Sequence, residues 1–72
     1  MSNKTYTLTI TVLIKQAGSL TTEFSQLSRE DGNKMMNMIR KSGSSFNLVH
    51  GDKNLYVQDC LTKEFTLTPN NN

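Results

Sequence analysis

Residues 5–14 read Thr-Tyr-Thr-Leu-Thr-Ile-Thr-Val-Leu-Ile. Tyr6, Leu8, Ile10, Val12 and Ile14 fall on one side of an extended chain, and Thr5, Thr7, Thr9 and Thr11 on the other. Successive side chains of a strand point to opposite faces, so this alternation specifies a half-buried strand. Only Leu13 breaks the polar side. A strand with one apolar and one hydroxyl face needs a layer over the first, and water or a partner over the second.

Lys15 to Ser19 reads as a turn, with Gly18 able to take positive φ. A second strand is expected at 20–26, with Leu20, Thr22 and Phe24 on one face, closing a hairpin with the first. A long helix starting near Thr21 is the alternative. Threonine is a poor helix former, and a better helix start lies downstream in Ser28-Arg-Glu-Asp31. Ser28 is placed to accept from a backbone N–H of the first turn. Glu30 and Asp31 suit the positive end of the helix dipole, and Arg40 and Lys41 the negative end. Gly43 stands where a left-handed C-terminal residue is expected, giving a helix at 29–42. Met35, Met38, Ile39 and Ser42 form its stripe, with Met36 beside it.

A third strand is expected at 45–49, with Phe46 and Leu48 on one side. A turn at 50–54 and a fourth strand at 55–60 follow. Apolar residues recur at odd positions from 55 to 67, but Asp59 and Lys63 interrupt them. A bulge near 59–63 accounts for this, as does a separate fifth strand at 64–68. Pro69 ends regular structure, and Asn70 to Asn72 reads as a frayed tail. The expected fold is α+β: a small antiparallel sheet of four to five strands, ordered β-β-α-β-β, covered on one face by a single helix.

Seventy-two residues make one domain, with its ordered core at 5–68. A core of this size rarely supplies more than roughly 3–5 kcal/mol. The lone Cys60 forms no internal disulfide, and one His with one Cys makes no ordinary zinc cage. No metal or cofactor is expected. Association is the staple left, so a homo-oligomer is expected. The single thiol fits a reducing cytoplasm. No apolar stretch is long enough to span a membrane, and no apolar segment follows Met1-Ser2-Asn3-Lys4 as a signal peptide requires.

Candidate sites are few. His50 precedes Gly51 in a turn, and no nucleophile elbow of the G-x-S-x-G type is present. Cys60 reads as a small apolar filler. The chain is therefore not expected to be an enzyme. Met35, Met36, Met38 and Ile39 put four apolar residues into five positions. They either plug the helix onto the sheet or turn part of their surface to a second chain. Lys34, Arg40, Lys41 and Lys53 are the candidate set for an alternative, weak nucleic-acid function. The net charge of +2 does not by itself call for nucleic acid. The aromatic residues Tyr6, Phe24, Phe46, Tyr56 and Phe65 are expected in the core.

The order of elements, the small size and the Asn/Thr/Ser-rich surface resemble small proteins encoded by bacteriophages and mobile elements. The layout is similar to the phage inhibitor of uracil-DNA glycosylase in the hairpin at 5–26, the Leu27-Ser28 entry to the helix, and the strands at 45–60. The resemblance lies in topology and carries over no functional residue. It implies a non-catalytic protein that binds or inhibits a host or phage protein in the bacterial cytoplasm.

Overall fold

The computed structural model describes residues 4–70. Met1 to Asn3, on which part of the leader argument falls, and Asn71-Asn72 of the expected tail lie outside the described residues. Six elements follow in order: β1 (Tyr6–Ile14), β2 (Gly18–Leu27), α1 (Arg29–Lys41), β3 (Phe46–His50), β4 (Lys53–Val57) and β5 (Cys60–Pro69). The class is α+β, with antiparallel strands and one helix among the described residues.

The strands do not form the single sheet that was expected. β2, β1 and β5 make a three-stranded sheet in that order, and β3 with β4 makes a separate two-stranded one. The cause is local. The chain leaves β4 at Gln58 and turns at Asp59, which adopts φ 57°. This left-handed residue sends β5 away from β4 and along the free side of β1, pairing Tyr6 with Pro69 and Val12 with Lys63. β1 therefore becomes the central strand.

Two bulges reset the alternation. In β2, Leu27 pairs with Tyr6 and Phe24 with Leu8, so β2 carries one residue more than β1 over that stretch. Gln26 takes φ 58° there, and Phe24 and Leu27 both become buried although three apart. In β5, Cys60 pairs with Ile14 and Thr62 with Leu13, leaving Leu61 as the extra residue. Inward positions are even at Cys60 and odd at Lys63, Phe65 and Leu67. The broken parity of the sequence thus has both proposed causes at once, a fifth strand and a bulge.

One core joins the layers. Leu8, Ile10, Val12, Phe24 and Leu27 of the larger sheet meet Met35 and Ile39 of α1, Phe46, Leu48, Leu55 and Val57 of the β3–β4 hairpin, and Cys60. The inner sheet face is thus covered by a helix and a hairpin together, not by the helix alone. The helix lies toward β5: Gly32 sits against Leu67, and the Arg40 guanidinium is 5.3 Å from the Phe65 ring centre. The hairpin reaches β2: the Lys53 ammonium bonds the Glu23 carbonyl and stands 5.4 Å from the Phe24 ring centre. Each fully buried aliphatic or aromatic side chain contributes about 1.5–3 kcal/mol.

The helix start is as expected. Ser28 Oγ accepts from the Asp31 N–H at 3.0 Å. Its end is different. Ser42, with φ −74° and ψ 155°, is the C-terminal cap, and Gly43 is not left-handed. The open carbonyls go instead to Lys63, whose ammonium donates to Ile39, Ser42 and Gly43 at 2.7, 2.6 and 2.7 Å. A tertiary lysine has taken the place of a glycine cap. Asn70 is also not frayed. Its N–H donates to the Thr5 carbonyl, its Nδ2 to Thr5 Oγ1, and its Oδ1 accepts from Thr7 Oγ1 at 2.6 Å.

Candidate interaction surface

The β3–β4 hairpin is built by a two-residue turn. Gly51 takes φ 59° and Asp52 does not take positive φ. Positive φ at the first central residue alone is the pattern of a type II′ turn, whose twist suits a tight hairpin. His50 and Lys53 close that turn, followed by the pairs Val49 with Asn54, Leu48 with Leu55, Asn47 with Tyr56 and Phe46 with Val57. Phe46, Leu48, Leu55 and Val57 point inward and are buried. Asn47, Val49, Asn54 and Tyr56 point outward.

That outward face is the most apolar exposed feature of the hairpin. Val49 is 63% and Tyr56 64% exposed. They are diagonal neighbours, because Val49 pairs with Asn54, two residues before Tyr56. Side chains so placed lie within reach of one another on one sheet face. Tyr56, expected in the core, is thus at the surface. Of the other aromatics, Phe24 and Phe46 are buried, while Tyr6 and Phe65 are partly buried.

The hairpin also has strand edges that no other strand among the described residues pairs with. In an antiparallel ladder, backbone groups alternate between facing the partner and facing away. With His50 and Lys53 as the hydrogen-bonded pair at the turn, Asn54 and Tyr56 direct their N–H and C=O groups outward from β4. Asn47 and Val49 do the same from β3.

The helix residues singled out from sequence divide. Met35 and Ile39 are buried at 7% and 0% exposure and belong to the core. Met36 is partly buried against it. Met38 alone turns outward, at 53% exposure, with Lys34 and Lys41 one turn away on either side. The basic residues are not brought into one group by any contact. Lys34 and Lys41 are exposed on the helix. Arg40 lies over Phe65 and donates to Asn37 Oδ1 at 3.1 Å. Lys53 is tied to β2 by Glu23 and Phe24. His50 is partly buried opposite Lys53, and the free thiol of Cys60 is buried.

The threonine face of β1 lies between Thr21 and Glu23 of β2 and Glu64, Thr66 and Thr68 of β5. Thr11 and Thr21 share a hydroxyl hydrogen bond at 3.2 Å, and Thr7 bonds Asn70. Part of this face satisfies itself across strands. Val49 and Tyr56 were not singled out from the sequence. Their signal was present: each is an apolar side chain on the side of its strand that Asn47 and Asn54 mark as polar.

No family model, curated protein or solved structure matches the chain. No helix among the described residues is long and apolar enough to cross a membrane.

Proposed function

We propose that this chain is a non-catalytic protein–protein interaction module, a small homodimeric protein of the phage type that binds or inhibits a host or phage protein in the bacterial cytoplasm. The observation that carries this is the exposed Val49–Tyr56 pair on the outer face of β3–β4. A tyrosine brings a large rigid apolar area with a hydrogen-bonding tip, and tyrosines are enriched where binding energy concentrates. The pair stands on a rigid ribbon whose inner face is locked into the core, so docking it costs little ordering of the backbone.

Alternative use of Lys34, Arg40, Lys41 and Lys53 for nucleic acid has less support. Arg40 and Lys53 already engage rings and oxygens of their own chain. Phosphate binding would require those contacts to be exchanged.

The test compares capture by immobilised wild type and by a Val49→Asn, Tyr56→Ser double variant, using lysate from phage-infected and uninfected bacteria. One protein is expected to bind the wild type in stoichiometric amount and to lose at least about tenfold in affinity for the folded double variant. Equal capture by both forms, or capture of nucleic acid that falls steeply with salt, defeats the proposal.

A further inference from the structure

Among the described residues four strand edges are open, and they are not alike. An unpaired edge is a template for another chain, and proteins that must avoid such pairing blunt it with bulges, prolines or inward-pointing charges. The edge of β5 has all three: the extra residue Leu61, the inward-turned Lys63, and Pro69 at its end. The edge of β2 has the Gln26 bulge, and Lys53 occupies its Glu23 carbonyl. The hairpin ladder has no register shift, β3 and β4 contain no proline, and the one charged residue of β4, Lys53, stands at its first position beside the turn with its ammonium engaged by β2. Of these two, β3 lies beside α1, which packs against it. β4 is the open one. Its inward Leu55 is the most exposed of the hairpin's core residues, at 8%.

Resting on the interaction-module reading, we infer that the partner taken by the β4 edge is a second copy of this chain. Two β4 strands pair antiparallel about a two-fold axis through Leu55, forming a continuous sheet in the order β3-β4-β4-β3. The geometry is self-complementary. Asn54 and Tyr56 point their backbone groups outward, and a two-fold at Leu55 places Asn54 of each copy opposite Tyr56 of the other. Each such pair exchanges two N–H···O bonds, so both outward donors and both outward acceptors are satisfied. Leu55 meets its own copy in the closer, non-hydrogen-bonded position, which covers the remaining exposure of that side chain. On the outer face, the two Tyr56 rings become diagonal neighbours. Val49, Tyr56 and their copies then form one apolar strip across the dimer. Lys53 lies opposite Val57 of the second copy, which keeps the two ammonium groups apart. The contact is small, so a dissociation constant in roughly the micromolar range is expected.

Amide hydrogen exchange of the wild type tests this without a substitution. Exchange at Asn54 and Tyr56 is expected to slow as protein concentration rises, in step with the mass measured by sedimentation, while Asn47 and Val49 stay fast. Asn54→Pro removes an N–H that β3 does not use, and edge positions tolerate proline. It is expected to weaken dimerisation at least tenfold, by about two lost hydrogen bonds per dimer. Asn47→Pro, the same change on β3, leaves the dimer intact. A wild type that is monomeric at about 1 mM overturns the inference. So does a dimer in which Asn54 and Tyr56 exchange independently of concentration, or one that Asn47→Pro breaks and Asn54→Pro does not. A monomeric wild type also removes the homodimeric part of the interaction-module reading, whereas capture of a partner through the Val49–Tyr56 face is read by the separate lysate comparison, so the two failures are distinguishable.

Discussion

Lys63 of β5 donates from its ammonium to the carbonyl of Ile39 in the last turn of α1, at 2.7 Å. The same group reaches Ser42 and Gly43 just beyond the helix and stands 5.8 Å from the centre of the Phe46 ring. One side chain thus holds the helix end, the loop after it and the larger sheet together. The interaction puts positive charge at the negative end of the helix dipole, where carbonyls lack partners of their own.

Replacing Lys63 by Met keeps most of the apolar stem and removes the donor. Charged hydrogen bonds contribute about 1.5–3 kcal/mol each where they are sheltered, and partial exposure of Lys63 lowers the sum. Lys63→Met is expected to lose about 2 kcal/mol of stability, read as a lower urea midpoint at unchanged slope. A midpoint within error of wild type would show that water caps the helix equally well.

Gly32 lies inside the first turns of α1, where Ala is ordinarily better by about 1 kcal/mol. Here a methyl group would stand 2.7 Å from Leu67 Cδ1 and 3.0 Å from Cδ2. Gly32→Ala is therefore expected to gain nothing or to destabilise, because Leu67 must move. In a Leu67→Ala background the same substitution is expected to recover its gain of about 1 kcal/mol. Thermal unfolding of the four proteins closes the cycle, and additive effects would refute the clash.

Gln26 holds φ 58° in the β2 bulge, a conformation that costs a non-glycine residue roughly 1–2 kcal/mol. Gln26→Gly is expected to raise stability by about 0.5–1 kcal/mol, after the greater unfolded-state freedom of glycine is subtracted. Gln26→Val is expected to lower it by more than 1 kcal/mol. Equal melting temperatures for wild type, Gly and Val would mean that the bulge is not held in solution.

Much of the local structure was legible from residues alone. The alternation at 5–14 marked β1, and Ser28 with Glu30 and Asp31 marked the helix start. These signals are contained within a few neighbouring residues. The second bulge was half legible: the parity of the apolar positions broke near 59–63, but parity does not distinguish a bulge from a new strand. The surface pair Val49 and Tyr56 was visible only as a mismatch with Asn47 and Asn54. Tyr56 is expected in the core because aromatic residues on strands are usually buried, and Val49 carries no assignment from sequence beyond its place in the third strand.

By itself, the sequence determined which segments are strand or helix and which side of β1 is apolar, since backbone sterics and side-chain period act over short distances. Tertiary structure alone decided that β5 joins β1 while β3 and β4 stand apart, because Asp59 turns the chain at a position where aspartate need not do so. It also decided that Lys63, rather than Gly43, completes the helix, a contact that spans some twenty residues and has no local signature. Which strand edge stays open follows from those same long-range choices: the bulges, Lys63 and Pro69 blunt β2 and β5, and the free ladder is left on β4.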